Sequence, residues 1–503
     1  MKVFLKTTFL LLLVSFLSNA TQGNKEETIN NLVKEGQKHS YNFELEKASK
    51  IFDTIIKHYP EDPRGYYYKS TIYLWSYLGN SEKKNFDGFV NYSSTTIDKA
   101  KDALKKDEDN ETFTYILGSI YGYRAIAFGK ADKFLDMIWA SQKSNSYLND
   151  AIKINPNNYD AYMGIGLFKF ALSQVPSSFK WALNLIGFDA DQVKGLRYLT
   201  LTAEKGEFSR IEAEYYLAHI YSEFFMDFEK SSSILKSLIK KYPSNVLFLY
   251  SLAVVDIKQR DLGNAEKVLH KLVKQKNPEF KQIISLSNFL LGDVYFRKNE
   301  FEKAINYYNI FTVTSGDKDY KGIANYRCAL CYVMIDNIDT AKDLFSAARN
   351  GNLNLDDDLY AKRKAELFLK NGITDTEKSI IRFSNMIETG SYKKAADSLS
   401  TLLKMNENNE FTPKISLYLA EALFELNQYE ESLMHCTIIF TNSSKVDEWI
   451  LPFTHFIAAS NYYELKNISK AKENIEKAEK YSDYDYQNKL QGKINNFKSR
   501  MNS

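Results

Sequence analysis

The sequence is poor in the residues that build tight turns and covalent cross-links. Its 503 residues include only 3 cysteines, 8 prolines and 21 glycines. Three cysteines exclude a disulfide scaffold, and so little proline and glycine argues against an all-β protein with many turns. The sequence also lacks an excess of either charge, since it has 66 basic and 63 acidic residues and a net charge of +3. We therefore expect no nucleic-acid partner.

Motifs that indicate catalysis or a bound cofactor are missing as well. The sequence contains no P-loop, no GxGxxG, no GxSxG and no HExxH. The acidic run Asp356-Asp357-Asp358 lacks the alternating ligands and central glycine of a calcium loop. It is better suited to a helix N-terminus, where the helix dipole favours negative charge. We expect neither an enzyme nor a cofactor or metal site.

The longest apolar run lies at the N-terminus. Lys2 and Lys6 precede the run Phe9–Leu17, and small residues follow up to Ala20. This layout is typical of a secretory signal peptide, and we expect it to cover residues 1–20. The run is much shorter than the roughly 20 residues that a spanning helix needs, which disfavours a retained anchor. No cysteine near the cleavage point could carry a lipid, so we expect an exported protein, periplasmic or secreted, without a transmembrane helix.

A pattern of small and large residues recurs along the chain. A small residue is followed by a large one after three positions, by a small one after twelve, and by apolar ones after sixteen and nineteen. These offsets place side chains on one stripe of each of two helices, and small residues let the helices approach closely. Three copies are Gly292, Tyr295, Ala304, Tyr308 and Phe311; Ala329, Tyr332, Ala341, Phe345 and Ala348; and Ala459, Tyr462, Ala471, Ile475 and Ala478.

These copies resemble the tetratricopeptide repeat (TPR) family. The resemblance covers most of the chain after residue 20, although the anchors at 253, 292 and 329 are 39 and 37 residues apart rather than the family's roughly 34. It implies an all-α fold, an α-solenoid of antiparallel helix pairs in which each pair buries its second face against a neighbour. It also implies a non-enzymatic scaffold that binds a protein or peptide partner, here in the cell envelope.

The repeat register breaks in two places. Between residues 131 and 151 the pattern slips, which predicts a longer helix. Between 348 and 395 it leaves one unpaired helix, from Leu359 to Leu369, that should stop at Asn371-Gly372. The second break divides the chain into an N-terminal array over 21–370 and a C-terminal array over 371–503. A continuous solenoid is the alternative.

An irregular, aromatic-rich insert lies near residues 168–201. Phe179, Trp181 and Phe188 are its candidate binding residues. They could contact a ligand, a partner helix or a membrane surface, and a peripheral membrane association is one expectation. Part of the insert is similar to a stretch in a eukaryotic TPR family linked to organelle outer membranes and inclusion clearance. The alternative is an irregular helix pair packed on the solenoid, because aromatic stripes usually belong to a core.

Two arginines and a pair of cysteines are further candidates for a functional role. Arg297 and Arg327 are candidates for holding a peptide carboxylate. Cys328 and Cys331 form a CxxC, but their place inside a repeat helix favours packing over redox chemistry. A protein-binding scaffold is therefore the favoured function. A solute- or glycan-binding protein that uses Trp181 is the second hypothesis, and an enzyme that uses the two cysteines is the third.

Overall fold

The structure, a computed structural model, describes residues 25–175, 190–275, 278–407, 409–444 and 446–502. In these ranges the chain forms α-helices, one short 3₁₀ turn (Pro278–Phe280) and no β-strand. The predicted all-α fold is therefore confirmed. None of the helices in these ranges has both the length and the apolar character that crossing a bilayer requires. The predicted signal peptide over 1–20 lies outside the described residues.

Apart from the stretch between residues 173 and 192, consecutive described helices are antiparallel and connected by short turns. In chain order the described helices are α1 (25–41), α2 (Leu45–His58), α3 (Pro63–Asn80), α4 (Lys83–Leu104), α5 (Glu111–Lys130), α6 (Phe134–Ile154), α7 (Ala161–Ser173), α8 (Gln192–Lys205), α9 (Arg210–Glu223), α10 (Phe228–Lys241), α11 (Val246–Lys258), α12 (Leu262–Val273), α13 (Lys281–Arg297), α14 (Phe301–Thr314), α15 (Lys321–Met334), α16 (Ile338–Ala348), α17 (Asp356–Asn371), α18 (Asp375–Glu388), α19 (Tyr392–Met405), α20 (Thr412–Glu425), α21 (Tyr429–Thr441), α22 (Ile450–Glu464), α23 (Ile468–Ala478) and α24 (Gln487–Asn502).

The small residues of the repeat lie where two helices of a pair touch. In the pair α13–α14, a Cβ added to Gly292 would lie 2.6 Å from the ring of Tyr308. That ring is fully buried, as are the anchors Ala304, Ala329 and Ala459. A larger side chain at any of these positions would push the helices apart, which is why the repeat keeps alanine or glycine there.

The turns inside eight helix pairs share one geometry. The backbone N–H of the residue before the second helix donates to the carbonyl of the residue five positions earlier, as from Glu300 to Tyr295 at 2.9 Å. The residue before that donor adopts a left-handed conformation, with Asn299 at φ 57°. This is the Schellman arrangement that closes helix C-termini. The left-handed residues of the other seven turns are Phe43, Asp132, Arg260, Asp336, Gly390, Asn427 and Lys466.

The two breaks in the repeat register have the predicted local structure. Helix α6 is 21 residues long and runs through the first break. The second break contains α17, whose last residue is Asn371 and whose C-cap is Gly372 at φ 76°. Only glycine adopts this conformation without strain, so the helix stops there. The acidic run Asp356-Asp357-Asp358 forms the first turn of α17, as expected.

The described residues belong to two compact units. The first comprises those within Met1–His219, Ser233–Phe248 and Asn277–Lys281, and the second those within Ile220–Ser232, Leu249–Lys276 and Gln282–Ser503. The core of the first unit contains large, fully buried side chains such as Phe52, Phe89 and Leu117. The predicted division between residues 370 and 371 stays a prediction.

Candidate functional site

A cavity of about 480 Å³ lies inside the second unit. Its walls come from the first helices of successive pairs (α13, α15, α18, α20 and α22), from α17 and α24, and from Arg260 in the turn after α11. The second helices of those pairs contribute none of the described lining residues. The repeat thus turns one face of each first helix toward a shared space, while the small anchors hold the second helices behind it.

Aromatic side chains form much of the cavity wall. Tyr326 stacks nearly parallel on Phe368, with ring centroids 6.2 Å apart, and Trp449 meets Phe453 edge-on at 5.5 Å. Such pairs give a wall that is rigid and rich in contact area. The aromatic lining residues are Phe296, Tyr326, Tyr360, Phe368, Tyr418, Phe424, Trp449, Phe453, Phe456 and Tyr486.

Two arginines and three glutamates form an ion-pair network on one side of the cavity. Arg260 lies 2.6 Å from Glu421, 2.8 Å from Glu425 and 3.4 Å from Glu388. Arg297, a predicted site residue, pairs with Glu388 at 2.5 Å. Burial alone would raise the pKa of Glu388, but Arg297 and Arg260 outweigh burial and hold that pKa below its usual value. Glu388 therefore stays ionised at neutral pH.

Arg327, the second predicted site residue of the lining, forms an ion pair with Asp293 of the neighbouring helix α13. Its Nη1 lies 2.5 Å from both carboxylate oxygens of Asp293. The hydroxyl of Tyr308 donates to the same carboxylate at 2.7 Å. Asp293 directly follows the small anchor of its repeat, so the sequence pattern itself brings this carboxylate beside the arginine. Arg297 and Arg327 both face the cavity, but each already has a carboxylate partner.

A third ion-pair cluster involves a buried lysine. Lys364 lies 2.5 Å from Asp447, and Lys414, which also lines the cavity, lies 3.3 Å from the other oxygen of the same carboxylate. The indole N–H of Trp449 donates to Asp447 at 3.3 Å. Burial opposes ionisation of Asp447, but Lys414 and Lys364 prevail and lower its pKa to about 2. One carboxylate thus holds two ammonium groups from different helices.

Helix α24 brings two lysines without a carboxylate partner into the cavity. The start of this helix is fixed on α17, where Asn488 donates to Asp356 at 3.0 Å and the ring of Tyr486 lies 4.9 Å from that of Tyr360. Lys489 and Lys493 follow, one helical turn apart, on the cavity face. Within the described ranges neither makes an ion pair with a carboxylate.

The surroundings of these two lysines are aromatic and positively charged. The ammonium of Lys489 lies 5.7 Å from the ring centroid of Tyr486, and that of Lys493 lies 5.8 Å from that of Phe456. Lys489 keeps part of its surface exposed, but partial desolvation against the cavity wall, then Lys493 and Arg297, lower its pKa to about 8, while Glu388 and Asp357 act in the opposite direction. Sequence reasoning missed both lysines; the only signal was their spacing of four on one amphipathic helix.

The remaining predicted site residues lie outside the described residues. Phe179, Trp181 and Phe188 fall between residues 175 and 190.

The two cysteines of the CxxC lie within the described residues. Neither forms a disulfide, and both are buried inside α15. Burial raises the pKa of Cys328 to about 12 and that of Cys331 well above its usual value, so both are thiols rather than thiolates at neutral pH. No group of three or more His, Cys, Asp or Glu side chains in the described ranges could hold a metal ion.

The first unit contains a buried carboxyl among tyrosines. Glu212 of α9 accepts a hydrogen bond from the hydroxyl of Tyr123 at 2.7 Å and a longer one from Tyr41 at 3.4 Å. Burial raises the pKa of Glu212 to about 7, the two hydroxyls oppose that rise, and the nearby Asp160 adds to it. A cavity of only about 20 Å³ adjoins the carboxyl, room for about one water molecule.

Comparisons with known proteins agree with the repeat. The family model of Iml2/Tetratricopeptide repeat protein 39 matches residues 136–381, just under half of the chain. No curated protein matches the chain in sequence. A tetratricopeptide repeat protein from Parabacteroides merdae is 15% identical to it, with a TM-score of 0.25 and coverage of 57% of this chain and 98% of that one. Yeast Tom70 is 13% identical, with a TM-score of 0.26 and coverage of 95% and 98%.

The TM-scores and identities of these two structural matches are too low to support an argument about function. The repeat of small anchors and the family model are independent of them, and both point to the same helix pair. Residues 136–381 thus match a tetratricopeptide repeat family, and the described helices of the chain form an array of helix pairs of that kind.

Proposed function

We propose that this protein is an exported, non-enzymatic scaffold of the cell envelope that binds a protein or peptide segment in the cavity of its second unit. The observation that carries the proposal is the lining of that cavity by the first helices of successive pairs. Repeat arrays use such surfaces to bind extended partners, since each repeat adds one stripe of contacts.

The chemistry of the lining supports binding of a protein surface. Aromatic and arginine side chains supply most of the energy in protein interfaces, and both line this cavity. The aromatic rings are fixed by contacts with one another, so little conformational entropy is lost when a partner covers them. The arginines are held by Glu388 and Asp293, which keeps their positions defined before a partner arrives.

The same contacts support a role without catalysis. The arginines of the lining are paired with carboxylates, and the CxxC thiols are buried, with that of Cys328 against Asn309 of α14. A nucleophile needs a base within hydrogen-bond reach and an open position for substrate. The three arginines of this cavity and their carboxylate partners instead satisfy each other.

Site-specific photocrosslinking in cells tests the binding proposal. A benzophenone amino acid in place of Tyr418, on the cavity wall, should crosslink to one or two dominant proteins. The same amino acid in place of Lys342, exposed on the second helix α16, serves as the control and should not. Equal crosslinking from both positions, or none from Tyr418 above background, would refute a partner in the cavity.

Export is tested by fractionation and by mass spectrometry of the N-terminus. The proposal expects the chain outside the cytoplasm with Thr21 as its first residue. A chain found in the cytoplasm with residues 1–20 still attached would contradict it.

A solute-binding function is the second candidate, because the cavity volume of about 480 Å³ falls in the range of about 300–1,000 Å³ typical of small-molecule sites. The prediction that Trp181 contacts a glycan belongs to this candidate. Titration of oligosaccharides against the wild type and a Trp181→Ala variant, followed by tryptophan fluorescence, tests it. An identical response from the two proteins removes Trp181 from the site.

A further inference from the structure

We propose that the cavity of the second unit contains a subsite for a small organic acid, whose carboxylate lies against Lys489 and Lys493 and whose apolar body lies against the aromatic wall. The proposal concerns the same cavity as the proposed function but goes beyond it, since it requires no protein partner.

The first step is the distribution of charge in the cavity. Six basic and five acidic side chains line it. Arg260 and Arg297 are bound by three glutamates, Arg327 is bound by Asp293, and Lys414 lies beside Asp447. The two lysines of α24 are the cavity's basic side chains without such a partner among the described residues.

The second step is the arrangement of these two lysines. Lys489 and Lys493 are four positions apart on α24, so their ammonium groups point from one face of the helix. Two like charges at this spacing repel each other, and Arg297 adds to the unfavourable field at Lys489. Glu388 attracts them, but its oxygens already accept from Arg260 and Arg297. An anion between the two ammonium groups would relieve the repulsion.

The third step is the apolar surface beside the lysines. The rings of Tyr486 and Phe456 lie within 6 Å of the two ammonium groups. Phe453 and Trp449 continue the wall on α22. An inorganic anion would leave this surface in contact with water, whereas an acid with an aromatic or aliphatic body would cover it. A carboxylate offers two oxygens, one for each ammonium group.

Calorimetric titration of the purified chain with 4-phenylbutyrate and with its uncharged amide, 4-phenylbutyramide, tests the subsite. The two probes share one body, so the difference between them reports on the carboxylate. We expect the acid to bind at least about tenfold more tightly, because hydrogen bonds between charged groups are roughly twice as strong as neutral ones. The double variant Lys489→Met, Lys493→Met should lose this preference, whereas Lys472→Met, on the exposed side of α23, should keep it.

Proton uptake on binding gives a second readout. It would be absent if Lys489 only stabilised the fold and did not contact the acid. A carboxylate beside Lys489 favours its charged form, so binding of the acid at pH 8 should take up protons, and the measured heat should differ between Tris and phosphate buffers. The amide should show no such difference. Lys489→Arg, which keeps the charge but does not titrate, should retain the preference for the acid and lose the proton uptake.

Three results would overturn the subsite. The acid and the amide could bind equally; the double methionine variant could keep the preference while its circular dichroism spectrum shows a native fold; or the tripeptide acetyl-Phe-Glu-Phe-amide could bind through the lysines while the small acid does not. A partner that still crosslinks from Tyr418 in the double variant would leave the proposed scaffold function intact, so the two failures are distinguishable.

Discussion

Replacing Glu212 by glutamine should remove a pH-dependent loss of stability from the first unit. In the folded chain this carboxyl is buried between the hydroxyls of Tyr123 and Tyr41, and burial raises its pKa from the usual 4.5 to about 7. In the unfolded chain the same carboxyl meets water and regains its usual pKa. The folded state therefore binds a proton more tightly than the unfolded state does.

The sign and size of the effect follow from these two pKa values. Below about pH 4.5 both states hold the proton, and the stabilisation from this group is fully present. As the pH rises toward 7 the unfolded chain releases the proton first, so the free energy of unfolding falls, and the loss is complete above the folded pKa. A shift from 4.5 to about 7 corresponds to a loss of at most about 3 kcal/mol.

Urea unfolding of the wild type and of Glu212→Gln between pH 4 and 8.5, followed by circular dichroism, measures the difference. The two proteins should be of similar stability at pH 4, where the carboxyl is neutral like the amide. At pH 8 the glutamine variant should be more stable by about 2 kcal/mol, since some of the gain is offset by the exchanged hydrogen bonds. Glu204→Gln, at an exposed position of α8, is the matched control and should follow the wild type. A difference between Glu212→Gln and wild type that is the same at every pH would refute the reasoning.

Three other experiments test packing and buried charge. Gly292→Ala should destabilise the second unit by about 1–3 kcal/mol in thermal unfolding, because the new Cβ meets a buried ring, whereas Gly316→Ala, with open space around it, should be neutral within about 0.5 kcal/mol. Cys328 and Cys331 should react with an aromatic disulfide reagent at pH 8 only after unfolding; rapid reaction in the native protein would contradict their burial. Asp447→Asn should cost about 3 kcal/mol at pH 7, because it leaves a buried ammonium group without its counter-ion, and a loss under about 0.5 kcal/mol would show that the pair is not desolvated. In the wild type the contribution of Asp447 is present above its usual pKa of 3.8 and is lost as the pH falls toward about 2, so the cost of Asp447→Asn should shrink in acid.

Much of the cavity could not be predicted from the sequence, and the ion pairs show why. Arg297 and Arg327 were identifiable as charged residues within the repeat, but their partners Glu388 and Asp293 lie 91 and 34 residues away in sequence. Repeat periodicity reports which residues share a stripe of one helix and not which stripes from different pairs face each other. From the sequence we therefore expected these arginines to be available to a ligand. In the folded protein each of them forms an ion pair with a carboxylate.

The sequence also could not predict that Lys489 and Lys493 line the cavity. Helix α24 carries four basic side chains and no acidic one, which is typical of a solvated surface, and nothing local distinguishes these lysines from Lys472 or Lys498. They line the cavity because the start of α24 contacts α17, more than a hundred residues earlier in the chain. That contact depends on how the intervening pairs stack.

The sequence by itself determined the helix pair, its anchors and its stops. Small residues at fixed offsets, turn residues such as Asn299 and the terminating Gly372 act within one helix or between neighbouring helices, where contacts are local and the period is readable. Only the tertiary structure decided which side chains share the cavity and which charges stay unpaired there. Each stacking step adds a small rotation, and the faces that finally meet are set by the sum of many such steps rather than by any single repeat.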